Sequence, residues 1–321
     1  MKRIKLITFL LIITLFSKAA DSTKFVIPLK KWNLKILGLN TFYPTYLADP
    51  LAVRFEVSSQ KIKYSDFEMM DKVNSGGDYL GKLTITPAVR ISLFKFTSKK
   101  NPNLGMEIDL GVSTPLVMRA GNHDLIGTDG IYYFAVGGNP TDYLSLRFSK
   151  HHICTHLGDE YSPTTSNTPV DFDPNLMQLP VRDDFIFSAS LKPLYFFKKR
   201  KFDQLRVYGD LGFFWPGVDF LGTRQNKPNK HAFMNYQVGL EGEYYFKKEY
   251  FGGLYGGYNV SAYQSNAFSK NTSLNVGYII PQDKDKKKLR MGINWYNGRA
   301  LSNQFYNRKE KFVAFSLCMD V

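Results

Sequence analysis

The 321-residue chain is poor in the features that stabilise small exported domains or mark common enzyme classes. It has only two cysteines, Cys154 and Cys318, which excludes a disulfide framework. On the topology predicted below they lie near opposite ends of the fold, so we expect both thiols to be unpaired. The sequence also lacks a Gly-rich nucleotide-binding loop and the Gly-x-Ser-x-Gly elbow of many serine hydrolases.

Only one long apolar run occurs, and it lies at the start of the chain. Lys2, Arg3 and Lys5 precede the apolar residues 6–16, and residues 17–19 form a small-x-small cleavage site. The run is shorter than the roughly twenty residues that a membrane-spanning helix needs. We therefore predict a signal peptide over residues 1–19 and an exported mature chain without membrane-spanning helices.

The remaining sequence contains about twelve segments in which apolar and polar residues alternate. Residues 83–91 and 313–321 show the pattern clearly. This period of two predicts β-strands, and in a closed sheet within lipid it places apolar side chains outside and polar ones inside. The predicted strands begin near Val53, Leu80, Leu104, Gly130, Asp142, Asp184, Gln204, Ala232, Tyr250, Thr272, Leu289 and Lys311.

The connections between these segments are alternately short and long, and the longest covers residues 153–183. An even number of strands returns both termini to one side, as in bacterial outer-membrane barrels. Residues 53–321 are thus predicted to form an all-β, antiparallel transmembrane β-barrel of about twelve strands in the outer membrane of a diderm bacterium. It would have short periplasmic turns and longer outer loops. A soluble periplasmic β-protein is the alternative, but it has no reason to sort its loops in this way.

Residues 20–52 lack clean alternation. Pro44 and Pro50 favour an ordered, extended or turning segment that either fills the lumen or lies at the periplasmic rim. Three further prolines, in or beside predicted strands, should mark bulges or strand ends. They are Pro87, Pro115 and Pro193.

The inward faces of the predicted strands carry charges of both signs in similar number. These charges either pair with one another across strands or line a water-filled pore that selects solutes. A barrel of about twelve strands is narrow, which favours a closed or poorly conducting lumen. The predicted lumen residues are Arg54, Glu56, Arg90, Glu107, Asp109, Arg147, Arg206, Asp210, Glu241, Glu243 and Arg290.

The net charge of +14 bears on possible partners. Lysines cluster in predicted short turns, at residues 198–201 and 284–288, rather than along one groove. Together with export, this favours contact with anionic lipid headgroups over nucleic acid. We expect outer-membrane lipids as partners, and the barrel-assembly machinery as a partner of the C-terminal strand that ends at Val321. No cofactor is predicted.

The densest polar cluster runs from the outer end of the fifth strand into the longest loop. We name His151, His156, Asp159 and Glu160 as candidates for binding a ligand at the outer mouth. None of the usual metal-ligand spacings is present, so no metal site is predicted. The alternative is that these side chains hydrogen-bond to loop backbone.

Three ordered motifs give the chain a resemblance to a known family. They are Phe42-x-Pro-x-x-Leu-Ala-Asp-Pro50, His156-Leu-Gly-Asp-Glu-Tyr161 and Asn297-Gly-Arg-x-x-Ser-x-Gln-Phe305. The chain resembles a bacterial family of exported barrel-like proteins that is known as a domain of unknown function. Leu51 and Ala52 depart from its pattern, where charged residues are expected. The resemblance implies an outer-membrane location and no particular activity.

Outer-membrane phospholipases are also barrels of about twelve strands, and they use a His and a Ser two residues apart on one strand. His152 and Cys154 have this spacing, with a thiol in the nucleophile position that would need activation by a base. No supporting Asn follows in a recognisable context. We therefore predict a non-enzymatic envelope barrel, either a narrow channel or a surface ligand-binding or structural protein. A phospholipase-like hydrolase is kept as the alternative.

Overall fold

The computed structural model describes residues 26–63, 79–120, 123–158, 182–197, 204–214, 234–281, 287–303 and 309–321. The described chain consists of β-strands and short 3-10 helices, and none of its helices is long and apolar enough to cross a membrane. The predicted signal peptide over residues 1–19 lies outside the described residues, as do the lysines at residues 198–201.

Sixteen strands form one continuous antiparallel sheet. They are β1 (Val26–Pro28), β2 (Trp32–Gly38), β3 (Phe55–Lys63), β4 (Tyr79–Thr86), β5 (Ala88–Ser98), β6 (Gly105–Ser113), β7 (Leu116–Arg119), β8 (Leu125–Asn139), β9 (Leu144–Leu157), β10 (Arg182–Leu191), β11 (Gln204–Phe214), β12 (Met234–Tyr245), β13 (Gly253–Tyr263), β14 (Lys270–Ile279), β15 (Leu289–Arg299) and β16 (Lys309–Met319).

Strands β3 to β16 close into a barrel of twelve strands, as predicted. Pro87 separates β4 from β5 and Pro115 separates β6 from β7, so each of these pairs counts as one long, interrupted strand. Because proline cannot donate a hydrogen bond to the ladder, the interruptions fall at these two prolines, as predicted. The ring closes between β16 and β3, where Phe312 lies opposite Ile62.

Short turns gather at one end of the barrel, which we call the turn end, together with the C-terminus. The opposite end is called the loop end. Two of its connections, Arg119 to Leu125 and Tyr263 to Lys270, are briefer than the sequence predicts. The strands are longer than expected: β8 begins at Leu125 instead of near Gly130, and its first residues pair with β7. The alternation is weak there, so the sequence did not mark them as strand.

The strands β1 and β2 form a hairpin outside the ring. Of β4 and β5, β3 pairs only with β4, so the edge of β5 on that side has no partner within the ring. β2 pairs with this edge, from Trp32 opposite Ser98 to Gly38 opposite Ser92. The outermost strand, β1, is short and ends in Pro28. A short edge strand with a proline is a poor template for further pairing, so the hairpin protects the edge of β5.

The two faces of the barrel wall have the polarity that the sequence predicts. On β12, Val238 and Leu240 are 52% and 49% exposed on the outside, whereas Glu241 is 4% exposed. On β16, Val313 and Phe315 point outward and Ser316 is fully buried. An apolar belt outside and polar groups inside is the arrangement of a barrel in lipid.

The belt predicts the effect of a charge on the outer face. Val238→Arg should lower the free energy of unfolding by about 2–4 kcal/mol, because the guanidinium would replace an apolar side chain facing lipid. Lys270→Arg, at an exposed strand start, is the control and should change it by less than about 0.5 kcal/mol. Urea unfolding in lipid vesicles, followed by tryptophan fluorescence, measures both. Equal stability of the two variants would contradict the assignment of the outer face.

Candidate functional site

Residues 41–52, which we call the plug, lie inside the barrel between β2 and β3. The segment has no regular secondary structure. Tyr43, Tyr46, Leu47 and Ala48 are each at most 6% exposed. Of the two positions that the sequence left open, the lumen and the rim, these plug residues occupy the lumen.

Arginines of the wall bind the carbonyl oxygens of the plug. Arg54 donates from Nη1 to the carbonyls of Tyr46 and Leu47, both at 3.0 Å. Arg90 donates to the Tyr43 carbonyl at 2.9 Å, and Arg206 donates to a further plug carbonyl, that of residue 45, at 2.7 Å. An irregular segment cannot satisfy these acceptors itself, so the wall supplies the donors.

Carboxylates of the wall bind the backbone N–H groups of the same segment. The Leu47 amide donates to Glu241 Oε2 at 2.7 Å, and the amides of Phe42 and Tyr43 donate to Glu107. Glu241 also forms an ion pair with Arg206. One cross-strand ion pair thus holds a carbonyl and an amide of the plug at the same time.

A stack of tyrosines packs the plug against β11. The ring of Tyr46 lies parallel to that of Tyr208, with centroids 3.7 Å apart, and its hydroxyl donates to Asp210 at 2.6 Å. Tyr208 in turn lies over Gly239 of the next strand, where an added Cβ would come within 2.2 Å of the ring. The missing side chain at Gly239 therefore makes room for the stack.

All eleven predicted lumen residues lie on the inward face, and the described contacts bring them together around the plug. Their ion pairs run along or across strands: Arg54 with Glu56 at 2.7 Å, Arg90 with Asp109 at 3.5 Å, and Arg290 with Glu243 at 3.5 Å. The remaining member of the set, Arg147, lies over the Tyr43 ring at 4.5 Å.

The chain just before the plug is held by a lysine from one of the Lys-rich turns. Lys287 Nζ donates to the Leu39 carbonyl at 2.5 Å. Burial lowers the pKa of Lys287 to about 8. This lysine of a predicted short turn is therefore half-buried against the chain that leads into the lumen.

Of the four residues predicted at the outer mouth, the structure describes His151 and His156, and these two face opposite sides of the wall. His151 points inward and stacks on Tyr133 with centroids 5.1 Å apart, whereas His156 is exposed on the outward face of the same strand. Their odd and even positions on β9 account for the separation. Asp159 and Glu160 lie outside the described residues. No group of three or more His, Cys, Asp and Glu side chains in the described ranges could hold a metal ion.

A different polar group lies on the outward face near the loop end. His152 Nδ1 and Asp183 Oδ1 are 2.6 Å apart, on residues directly opposite each other in β9 and β10. Tyr132 stacks on the His152 ring at 4.5 Å. Cys154 follows two residues later on the same face, and its thiol is free. An added Cβ at its neighbour Gly130 would lie 2.9 Å from Cys154 Sγ, so the glycine makes room for the sulfur, whose thiol donates to the Gly130 carbonyl at 3.7 Å.

Sequence reasoning missed several residues of these sites. Tyr46, Tyr208 and Asp183 were not predicted to contribute, because a single tyrosine or aspartate carries no spacing signal. The clearest available signal was the Arg182-Asp-Asp184 run at the start of β10, where two adjacent carboxylates must face opposite sides of the sheet.

Comparisons with known proteins agree with this architecture. No known family model and no curated protein matches the sequence. Among solved structures, an active-site mutant of outer membrane phospholipase A from Escherichia coli is similar with a TM-score of 0.51 at 10% identity, over 88% of this chain and 93% of that one. An outer membrane phospholipase from Salmonella typhi, a dimer with bound calcium, gives a TM-score of 0.49 at 8% identity, over 85% and 92% of the two chains.

An outer membrane channel from Pseudomonas putida F1 gives a TM-score of 0.43 at 12% identity, over 87% of this chain and 98% of that one. At such identities the likeness concerns the fold. The chain has the closed twelve-strand barrel fold of these outer-membrane proteins. Its apolar belt has the arrangement of a barrel in lipid, and the outer-membrane location stays a prediction. The signal peptide, the family resemblance and recognition by the barrel-assembly machinery stay predictions.

The tyrosine stack predicts a graded loss of stability. Tyr46→Ala removes a buried ring and should lower the free energy of unfolding by about 3–5 kcal/mol. Tyr46→Phe keeps the ring but deletes the hydrogen bond to Asp210, and should lower it by about 1–3 kcal/mol. Tyr258→Phe, on the outward face, is the control. Denaturant midpoints measure the three, and equal values for both Tyr46 variants would show that the ring contributes nothing beyond its hydroxyl.

Proposed function

We propose that the protein is a closed envelope barrel that binds ligands or partners at its loop end, rather than a solute channel. The observation that carries this proposal is the plug. Buried tyrosines fill the narrow lumen, and charged wall residues hold both the carbonyls and the amides of the segment. A charge-lined pore would leave these side chains free to meet solutes, whereas here they already have protein partners.

Conductance in planar bilayers tests the closed state. The wild-type protein should show no steady current. The double variant Arg54→Gln with Glu56→Gln removes the donor to two plug carbonyls without changing the net charge, and it should open intermittently as the plug loosens. Steady stepwise currents from the wild-type protein would contradict the proposal.

The matched control for that experiment is a second buried ion pair. Lys82 and Glu310 link β4 to β16 across β3. The double variant Lys82→Gln with Glu310→Gln removes this pair, and it should stay as silent as the wild type. If both double variants conduct, the openings result from a weakened barrel wall and not from a loosened plug.

A second candidate function, hydrolysis of an ester at the membrane surface, is supported by the contact between His152 and Asp183. Polar side chains on the lipid-facing side of a barrel carry an energetic cost that increases toward the bilayer centre. Here an imidazole is held by a carboxylate, and a free thiol follows on the same face. A thiol, an imidazole and the carboxylate that orients it are the groups used in covalent catalysis, and here all three lie on one face of neighbouring strands.

In that chemistry, His152 takes the thiol proton of Cys154 and the sulfur attacks the carbonyl carbon of an acyl ester. The C–O bond breaks, the alcohol leaves with the proton from His152, and a thioester remains on the sulfur. Water then attacks the thioester, which releases the fatty acid and restores the thiol. Asp183 keeps the imidazole oriented and stabilises its charged form.

Fatty-acid release from phospholipid in detergent micelles tests this candidate. The wild type should release fatty acid, Cys154→Ala should abolish release, and His152→Ala should slow it at least about a hundredfold. Cys318→Ala removes the only other thiol, which is buried near the turn end, and should leave the rate unchanged. A wild-type protein without activity would remove the candidate.

A further inference from the structure

A cavity of about 100 Å³ lies between the plug and the loop end of the barrel. Plug residues form its floor, and its wall comes from inward-facing strand residues that extend to the loop end. Four of the wall residues carry the argument. They are Arg147 of β9, Arg182 at the start of β10, Arg299 at the end of β15 and Tyr263 at the end of β13.

Two of these arginines share one aromatic ring. The guanidinium carbons of Arg299 and Arg182 lie 3.8 Å and 5.2 Å from the centroid of Tyr263. Both side chains are nearly buried, with 6% and 5% exposure. Two like charges on one ring repel each other, and stacking on the ring offsets only part of the cost.

Each of the three arginines also has a buried N–H group that donates no hydrogen bond. Arg182 is bound through Nε to Asp184 at 3.2 Å, but its Nη1 is buried without a hydrogen-bond partner. The same holds for Arg299 Nη1 and Arg147 Nε. Among the described residues, no carboxylate lies within ion-pair distance of Arg147 or Arg299. A buried charged donor without an acceptor is costly, so a group that accepts hydrogen bonds from these donors would stabilise the folded protein.

Carboxylates do line the other end of the cavity, but they are already occupied. Asp210 accepts hydrogen bonds from Tyr46 and Gln237, and Asp49 accepts one from the Leu51 amide. Both belong to the network around the plug. Toward the loop end, Asp184 pairs with Arg182, and Asp129 accepts hydrogen bonds from Thr155 and the Asn303 amide, so Arg299 is left without an ion-pair partner among the described residues.

The size of the cavity limits what can supply the acceptor. A water molecule needs about 10–15 Å³ of such a volume, so 100 Å³ exceeds the needs of one or two waters. Pockets for whole drug-sized ligands measure about 300–1,000 Å³. Guanidinium groups match the paired oxygens of carboxylates and phosphates.

We propose that this cavity binds a single oxyanionic group, a phosphate or a carboxylate, between Arg182 and Arg299. The inference rests on the proposed function, because it names the ligand chemistry of a closed barrel that binds at its loop end. The anion would accept hydrogen bonds from the unpaired Nη1 atoms and compensate the charge of Arg299, since Asp184 already pairs with Arg182.

Thermal unfolding of the full-length protein in detergent tests the site, with inorganic phosphate, acetate and chloride as probes at matched ionic strength. Phosphate or acetate should raise the wild-type midpoint in a saturable way, because a ligand that binds only the folded state stabilises it. Comparing the two separates a phosphate from a carboxylate preference. Chloride should produce no saturable rise.

Arg299→Gln should weaken the affinity for the preferred anion about tenfold to hundredfold. Without anion it should unfold no earlier than the wild type, because it removes an unpaired buried charge. Arg299→Lys keeps the charge but loses the paired donors, and should bind with intermediate affinity. Lys270→Gln removes one charge from an exposed strand start at the same end and should bind as the wild type does.

Two results would overturn the proposal. One is a wild-type protein that phosphate and acetate stabilise no more than chloride does, and the other is an Arg299→Gln variant that binds the anion as tightly as the wild type. Bilayer conductance is measured separately, so the two proposals fail in different ways. A conducting barrel that still binds phosphate would contradict the closed state alone.

Discussion

The structure depends on one constraint, that an irregular backbone inside a membrane barrel must have every polar group satisfied by protein. The plug has neither helix nor ladder hydrogen bonds, and the closed wall of strands encloses it. Arg54, Arg90 and Arg206 supply the donors, while Glu107 and Glu241 supply the acceptors. The charges inside this barrel are therefore parts of a binding surface for the protein's own N-terminal segment.

The same constraint explains why the interior charges come in pairs. A lone arginine bound to a carbonyl would be a buried, uncompensated charge, and such a charge costs several kcal/mol. Pairing Arg206 with Glu241 compensates the charge, and it offers one donor and one acceptor to a segment that needs both. Room for the segment comes from wall positions such as Gly239, over which Tyr208 can lie flat. Charge balance, which the sequence showed, follows from what the lumen holds.

The parts of the fold that could be predicted from sequence are those set by local patterns. Alternation predicts the strands, and Pro87 and Pro115 predict the interruptions, because both effects act within a few residues. The position of the plug depends on contacts between residues far apart in the chain, such as Leu47 with Glu241. The contact of His152 with Asp183 likewise requires the register across the longest loop, which no local pattern specifies.

Strand β9 connects the two candidate sites, because its odd and even residues face opposite sides of the wall. Arg147 and His151 point to the cavity, whereas His152 and Cys154 point outward. A shift of one residue in pairing would exchange the two sets and put an arginine into lipid. β9 pairs with β8 from Gly127 opposite Leu157 to Gly138 opposite Leu146, the longest ladder in the described sheet. This ladder fixes the register, so substitutions that disturb it should damage the inward cavity and the outward polar group together, whereas substitutions confined to one face should affect one site alone.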